Sequence, residues 1–225
     1  MSVTKSSSDK QREALSRERL LEIALSIVDS DGIEGLSMRR LASAVNVEAA
    51  SLYSWFPNKR TIIEGVVEAI RAEAFDPDFD RTMSWQRSLE HLGIRYREAL
   101  MRHPRALPAF SKRPVLTERG LGYVEILLDA LRNDGLTVRQ ANRALNLVAG
   151  LVTGLCVTEA SPGYHDEPGV TLEEFRTLGT LLPADRFPRL LEVLGQPEPE
   201  DSDVQFRLGL RALIAGLTQE MAAEI

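Results

Sequence analysis

The chain has 225 residues, 44% hydrophobic and 27% charged, with a formal net charge of -6 and one cysteine. This content supports a packed core and excludes global disorder, and a lone Cys156 excludes an internal disulfide framework or a thiolate metal cluster. The charge is uneven: residues 1–60 hold nine Lys/Arg against eight Asp/Glu, net +1, and the remainder 18 against 25, net -7, so a polyanion would meet only the head.

Residues 1–13 are polar and Ser/Lys-rich, and read as a flexible arm. They contain no apolar h-region, so a secretory signal is not expected and the cytoplasm is the expected compartment. From 16 to 30, Leu20, Ile23, Ala24, Ile27 and Val28 recur on one helical face. Gly32 suits the left-handed residue that ends this helix. Ser37 can cap the next one, with Leu36 stapling onto Leu41. Asn46, which tolerates positive φ, makes the turn into a third short helix running from Glu48 to Trp55 or Phe56. Pro57 closes that helix, because the residue before a proline avoids the α region. Asn58 caps a fourth, from Lys59 to about Phe75, with Ile62, Ile63, Val66 and Ile70 as its buried stripe.

After the break at Asp76-Pro-Asp, helices are expected over about 82–102, 104–111, 115–133, 137–160, 171–180, 183–195 and 202–223, with loops at 161–169 and 195–202. Strand signals are absent. The most apolar stretch, 144–158, is too short to span a bilayer and carries Asn146 and Thr153. The fold class is therefore all-α: an N-terminal three-helix head over 14–62, and a larger C-terminal helical bundle over 63–225.

The chemistry of the head lies in 37–56. Two short helices joined by a tight turn are the logic of a helix-turn-helix, whose second helix enters the DNA major groove. Leu41, Val45, Val47, Leu52 and Phe56 form the apolar face, leaving Ala49, Ala50, Ser51, Tyr53, Ser54 and Trp55 outward. A solvated face would carry charges instead. Small residues let the backbone approach base edges, and hydroxyls suit phosphates. Lys59 and Arg60 oppose the dipole of the fourth helix at roughly 0.3–1 kcal/mol each, a cost that a bound phosphate would reverse. Simple solvation of both is the alternative.

The run from Gly32 to Arg60, with Gly-hydrophobic-x-Gly-Leu-Ser-hydrophobic-Arg, Leu-Tyr-x-x-Phe and Asn-Lys at their spacings, resembles the DNA-binding head of the TetR family. Asn46 stands where glycine is common. The resemblance implies that bases are read around Arg39 and Ala49, Ala50 and Ser51, that Ser37, Tyr53 and Lys59 hold phosphates, that Trp55 is a further DNA contact and Met38, Arg40 and Ser54 complete the DNA-binding set, and that the body, 63–225, senses a ligand and dimerises. It continues into the body through Ser84-Trp85-Gln86, Tyr96, Ala99-Leu100, Arg113-Pro114, Gly135-Leu136 and Gly154 to Glu159, which resemble tetracycline-repressor-type sensor domains.

Such domains hold their drug as a magnesium chelate through a histidine. That column is Phe110 here, the threonine column is Lys112, and a polar drug-gripping column is Phe75. Glu159 matches the acid at the metal's water shell, but one carboxylate is not a magnesium site. No metal or cofactor is expected, nor tetracycline as effector. The expected pocket is more apolar, framed by Phe75, Trp85, Leu92, Tyr96, Phe110, Arg113, Leu127, Asn146 and Thr153, with Glu159 at one end. Core filling is the alternative for each. His91, His103 and His165 share no metal-ligand spacing and read as structural, and Cys156 as a buried, inert thiol.

On the final helix, Phe206, Leu210, Leu213, Leu217 and Met221, widened by Val204, Leu208 and Ile214, make a stripe suited to a partner helix, or to closing the subunit's own core. Gly150 and Gly154 permit close helix contact. The expected function is a homodimeric repressor that a small molecule releases from a palindromic operator. A DNA-binding regulator without an effector, or an activator, is the alternative. An enzyme is not expected, since no nucleophile–base pair, metal cluster or phosphate loop is legible.

Overall fold

Side-chain caps decide where most helices begin. In a computed structural model describing residues 15–75, 79–110, 118–160, 177, 179–195 and 201–223, the elements are α1 (Arg17–Gly35), α2 (Met38–Ala44), α3 (Ala49–Leu52), α4 (Lys59–Ala74), α5 (Trp85–Arg102), a 3-10 helix (Pro104–Ala109), α6 (Glu118–Asn133), α7 (Val138–Glu159), α8 (Pro188–Leu194) and α9 (Ser202–Ala223). The arm at 1–13, the Asp76-Pro-Asp break, Lys112, Arg113, the 161–169 loop, His165, most of the helix expected at 171–180 and most of the acidic loop after Gly195 lie outside the described residues. Among the described residues no strand is present.

Ser16, Ser37, Asn58, Ser84 and Thr137 each accept a hydrogen bond from the backbone N–H three residues on, and Asn58–Thr61 and Thr137–Gln140 form reciprocal capping boxes. A cap of this kind is worth about 1 kcal/mol. Gly32 takes φ 70 and breaks the helical path inside α1, which resumes for a final turn rather than ending there. Asn46 takes φ 55, the left-handed conformation on which the turn between α2 and α3 depends. Leu36 and Leu41 are both fully buried beneath that turn.

α3 is shorter than the expected helix to Trp55 or Phe56: its regular part ends at Leu52, and 53–55 form a turn. Two local causes act together. Ser54 Oγ donates to the Ser51 carbonyl at 2.8 Å, a side-chain bond that competes with the helix. Pro57 bars Phe56 from the α region. Phe56 still turns inward and is fully buried.

α4 lies between α1 and α5. The close approach of α1 relies on Gly65, where a Cβ would stand 2.4 Å from a methyl of Leu21. α7 packs on α5, α6, the 3-10 helix and α9 through Ala141, Ala144, Val148, Val152 and Cys156. Among the described residues α7 is the one helix long and apolar enough to cross a membrane, although its apolar core, 144–158, is shorter than that. Burial pushes the Cys156 thiol up to about 11, with Arg97 opposing and Glu159 adding to the shift, which suits an inert thiol.

The stripe on α9 divides in two. Phe206, Leu210, Leu217 and Met221 are buried against their own subunit, so that face closes the core instead of meeting a partner. Val204 and Leu208, with Ala212 and Ala215, lie exposed on another face. Gly150 and Gly154 have no neighbour within 4 Å of an added Cβ, so no described helix of this chain uses the approach they allow. The helix expected over 183–195 is confined to α8 and buries nothing, with Phe187, Leu190 and Val193 exposed.

Replacing Asn46 by Ala should cost about 1–2 kcal/mol, because a β-carbon without a local hydrogen-bonding group meets the left-handed penalty, whereas Asn46→Gly should cost little. Urea unfolding checks the order, and equal costs for the two would show that the positive φ is not what the turn needs.

Candidate functional site

Two regions combine features that packing alone leaves unused. The first is the outer surface of the head. Tyr53 is 55% and Trp55 38% exposed, and Ala50, Ser51 and Ser54 are exposed beside them. Large aromatics on a polar rim of this kind mark a contact surface. Arg39 is exposed and Lys59 half-buried, and among the described residues neither makes an ion pair. Other cations nearby are engaged. Arg40 donates to the Asp31 carboxylate, and Arg60 Nε donates to Glu64 Oε1 at 2.8 Å. Arg17 lies 5.3 Å from the Phe56 ring centroid.

The expected head residues therefore separate into groups. Ser37 presents its hydroxyl to the α2 N-terminus, accepting from Arg40 N–H at 3.1 Å. Met38 and Ala49 are half-buried and packed on the core, so Met38 turns inward rather than toward a ligand. Arg39, Ala50, Ser51, Tyr53, Ser54 and Trp55 stand on the exposed side.

The second region is a cavity of about 290 Å³ between α4, α5, α6 and α7. Phe75, Leu92, Tyr96, Leu127 and Asn146, all expected there, line it. Phe75 stacks on Tyr123 with centroids 4.5 Å apart and planes at 28°. Phe79 and His91 approach at 5.8 Å. Glu68, Arg71, Tyr123 and Asn142 also line the cavity and were not among the expected residues. The signal was present for α4, where Glu68, Arg71 and Phe75 fall at i, i+3 and i+7 on one face.

Four expected residues do not reach this cavity, each for a visible reason. Trp85 is buried at the start of α5, where its backbone N–H donates to Asp134 Oδ2 at 2.7 Å. Phe110 is buried beneath the Arg71 guanidinium, 5.5 Å from its ring centroid. Thr153 stands behind Tyr96 and donates to its hydroxyl at 3.4 Å. Glu159 accepts both of its bonds from Arg97 Nη2, at 2.9 and 3.2 Å, with the two side chains 15% and 16% exposed. Arg97 in turn lies 5.1 Å from the Phe206 ring centroid, tying α5, α7 and α9 together. The expected chelating set finds no fit in this arrangement: Phe75 and Phe110 offer no donor atom, and Glu159 is held by Arg97.

A polar joint connects the two regions. His103, at the C-terminus of α5, has Nδ1 2.9 Å from Asp29 Oδ1 on α1 and Nε2 3.0 Å from Glu73 Oε1 on α4. Arg102 Nη2 holds the other Glu73 oxygen at 2.9 Å, and Arg105 donates to the Ser30 carbonyl. The histidine read as structural in the sequence thus bridges head and body at the last turn of α4.

Comparison with known proteins adds to this geometry. The family described as "Bacterial regulatory proteins, tetR family" matches residues 20–66, and "Tetracyclin repressor-like, C-terminal domain" matches 77–221. Among curated relatives, the HTH-type transcriptional repressor DrrR1 of Streptomyces coeruleorubidus is 27% identical over 92% of this chain and 78% of its own. The tetracycline repressor protein class D of Escherichia coli is 27% identical over 93% and 92%. Among solved structures, apo ActR from Streptomyces coelicolor superposes with a TM-score of 0.79 at 27% identity, covering 94% of this chain and 98% of that one. ActR in complex with actinorhodin gives 0.77 at 29%, covering 92% and 98%.

His103→Ala should leave the Asp29 and Glu73 carboxylates facing one another without their bridge, at a cost of about 1–3 kcal/mol. Chemical denaturation measures this. An unchanged midpoint would mean that the joint contributes nothing to holding the head on the body.

Proposed function

Since the chain belongs to the TetR family of bacterial regulatory proteins, we propose that it represses transcription as a twofold dimer on a palindromic operator, and leaves that operator when a small molecule fills the cavity. Members of the family are ligand-responsive, DNA-binding regulators. The observation that carries the finer reading is the position of α4: it opens in the head at Lys59 and ends against the cavity at Phe75. One rigid element therefore touches both the DNA-facing surface and the effector space.

The division of labour follows from exposure and charge. The head, 14–62, reads bases through Arg39 and the Ala49–Ala50–Ser51 surface, and holds phosphates through Ser37, Tyr53 and Lys59. Arg40, Ser54 and Trp55 flank that contact, and Met38 supports it from beneath. The absence of ion pairs at Arg39 and Lys59 among the described residues supports this, because an unpaired cation is free to displace the counterions of a phosphate.

In the body, 63–225, Phe75, Leu92, Tyr96, Leu127 and Asn146 contact the effector, joined by Tyr123 and Asn142. Trp85, Phe110, Thr153 and Glu159 brace the walls. Arg113 remains assigned by resemblance alone. That ActR, with this sensor fold, is held in complex with actinorhodin supports an organic effector here. The exposed faces of Leu147, Gly150 and Gly154 on α7 and of Val204, Leu208, Ala212 and Ala215 on α9 suit the partner subunit, small residues allowing close approach. A twofold axis then sets the recognition elements about one helical turn of DNA apart, on the order of 34–36 Å. The compartment of such a protein is the cytoplasm.

The mechanism is a population shift. The effector favours the arrangement of α4 that suits the filled cavity, and can move the equilibrium only by its differential affinity for the two states. Because Glu73 is held by His103 and Arg102, displacement of the last turn of α4 is passed to α1 through Asp29.

Fluorescence anisotropy on palindromes from around the gene, across a salt series, tests the reading. Lys59→Ala should weaken binding about tenfold and lower the salt slope by about 1, and Tyr53→Ala should weaken it by a similar factor. A genome-wide selection in which no sequence is bound better than random DNA would sink the repressor reading.

A further inference from the structure

Among the described residues Arg71 is the one arginine lining the cavity, and its surroundings differ from those of its neighbours. Arg60, Arg95, Arg97 and Arg102 each hold a carboxylate within 2.9 Å. Arg71 is half-buried, and among the described residues no carboxylate lies within ion-pair distance of it. Its recorded contact is the Phe110 ring, 5.5 Å from the guanidinium carbon. A guanidinium presents five N–H donors in a plane and accepts none. A ring beneath one face leaves that donor edge without an acceptor, in a space walled mainly by apolar side chains, where an anion would be held more strongly than in water.

The rest of the cavity defines what carries the anion. Phe75, one turn beyond Arg71 on α4, forms with Tyr123 a stacked aromatic wall at 4.5 Å. Asn146 Nδ2 donates to Asn142 Oδ1 at 3.2 Å, so the pair keeps the Asn142 amide group to donate to a ligand's oxygens and the Asn146 carbonyl to accept from a hydroxyl. Among the described residues Glu68 is the one acid in the lining, a turn nearer the head. It repels a negative group from its own end and so directs that group to Arg71. A volume of about 290 Å³ suits a compact ring system.

We infer that the effector is a planar aromatic anion, its rings against the Phe75–Tyr123 wall and its acidic oxygens on Arg71; this assignment rests on the effector-responsive reading above. The anion would also act at a useful place. Arg71 is two residues from Glu73, whose carboxylate is held by His103 and Arg102, so an acid pulling on Arg71 loads the turn of α4 that joins body to head.

The test titrates the full-length protein with two fluorescent probes of matched shape, 9-anthracenecarboxylate and its uncharged carboxamide. The carboxylate should bind about tenfold tighter than the amide, the value of a charge-assisted contact. Arg71→Gln should abolish that preference, Arg71→Lys should retain part of it, and Glu68→Gln should raise carboxylate affinity severalfold without altering that of the amide. Thermal unfolding shows whether Arg71→Gln folds; if it does not, the wild-type ratio and Glu68→Gln carry the test alone. Equal affinities in the wild type, a preference that survives Arg71→Gln, or no binding of either probe at roughly 1 mM overturns the inference. Operator anisotropy in the same samples separates the two readings. Release by the amide as effective as by the acid leaves the effector-responsive regulator standing and removes the anion, whereas a protein that binds no operator fails the first reading while the acid-to-amide ratio still decides the second.

Discussion

The packing of α4 between α1 and α5 is the constraint on which the rest depends. Its N-terminal half is locked to the head, where Gly65 admits the Leu21 side chain at a distance no β-carbon would allow. Its C-terminal turn belongs to the body: Phe75 at its end is stacked in the cavity, Arg71 faces the same space, and Glu73 is held from α5. A helix transmits displacement along its axis because its backbone hydrogen bonds resist bending. Under the proposed mechanism, a displacement at the cavity end of α4 is carried to the head.

The head reaches its function with little material. A four-residue helix followed by a turn carries the exposed hydroxyls and aromatics, and it can be that short because its core anchors, Leu52 and Phe56, are both fully buried. The overall charge of -6 does not oppose a polyanion at this surface, since the head as a whole is close to neutral. Screening at physiological salt limits the reach of the acidic body to about 8 Å.

The sensor keeps the helical frame of the tetracycline-repressor type and changes its chemistry. At the position the resemblance gives to a chelating histidine, Phe110 is buried under a guanidinium, and Glu159 is held through both oxygens by Arg97 Nη2 in a pair that links three helices. A carboxylate so engaged serves the frame. The polar side chains that line the cavity include Glu68 and Arg71 on α4 and the Asn142–Asn146 pair on α7.

How far the sequence could be read follows from the range of the forces involved. Two helix starts were legible because caps are local: Ser37 and Asn58 act on N–H groups three residues away. The positive φ at Asn46 and the buried stripe of α4 were legible for the same reason, as was the family motif from Gly32 to Arg60. The shortening of α3 was half legible, with Pro57 plain in the sequence and the Ser54 bond not. What the sequence could not show was partner choice across the fold. A stripe such as Phe206 to Met221 looks the same whether its own core or another subunit covers it, and Glu159 looks the same whether it faces a ligand or Arg97. His103 has no local signal at all, since Asp29 and Glu73 lie 74 and 30 residues away. The sequence alone determined the all-α class, the order of most helices and the family motif of the head, because these depend on contacts within a few residues. Which side chains meet in the cavity, and which merely hold its walls, was decided only when the helices packed, because burial and ion pairing are properties of neighbours distant in the chain.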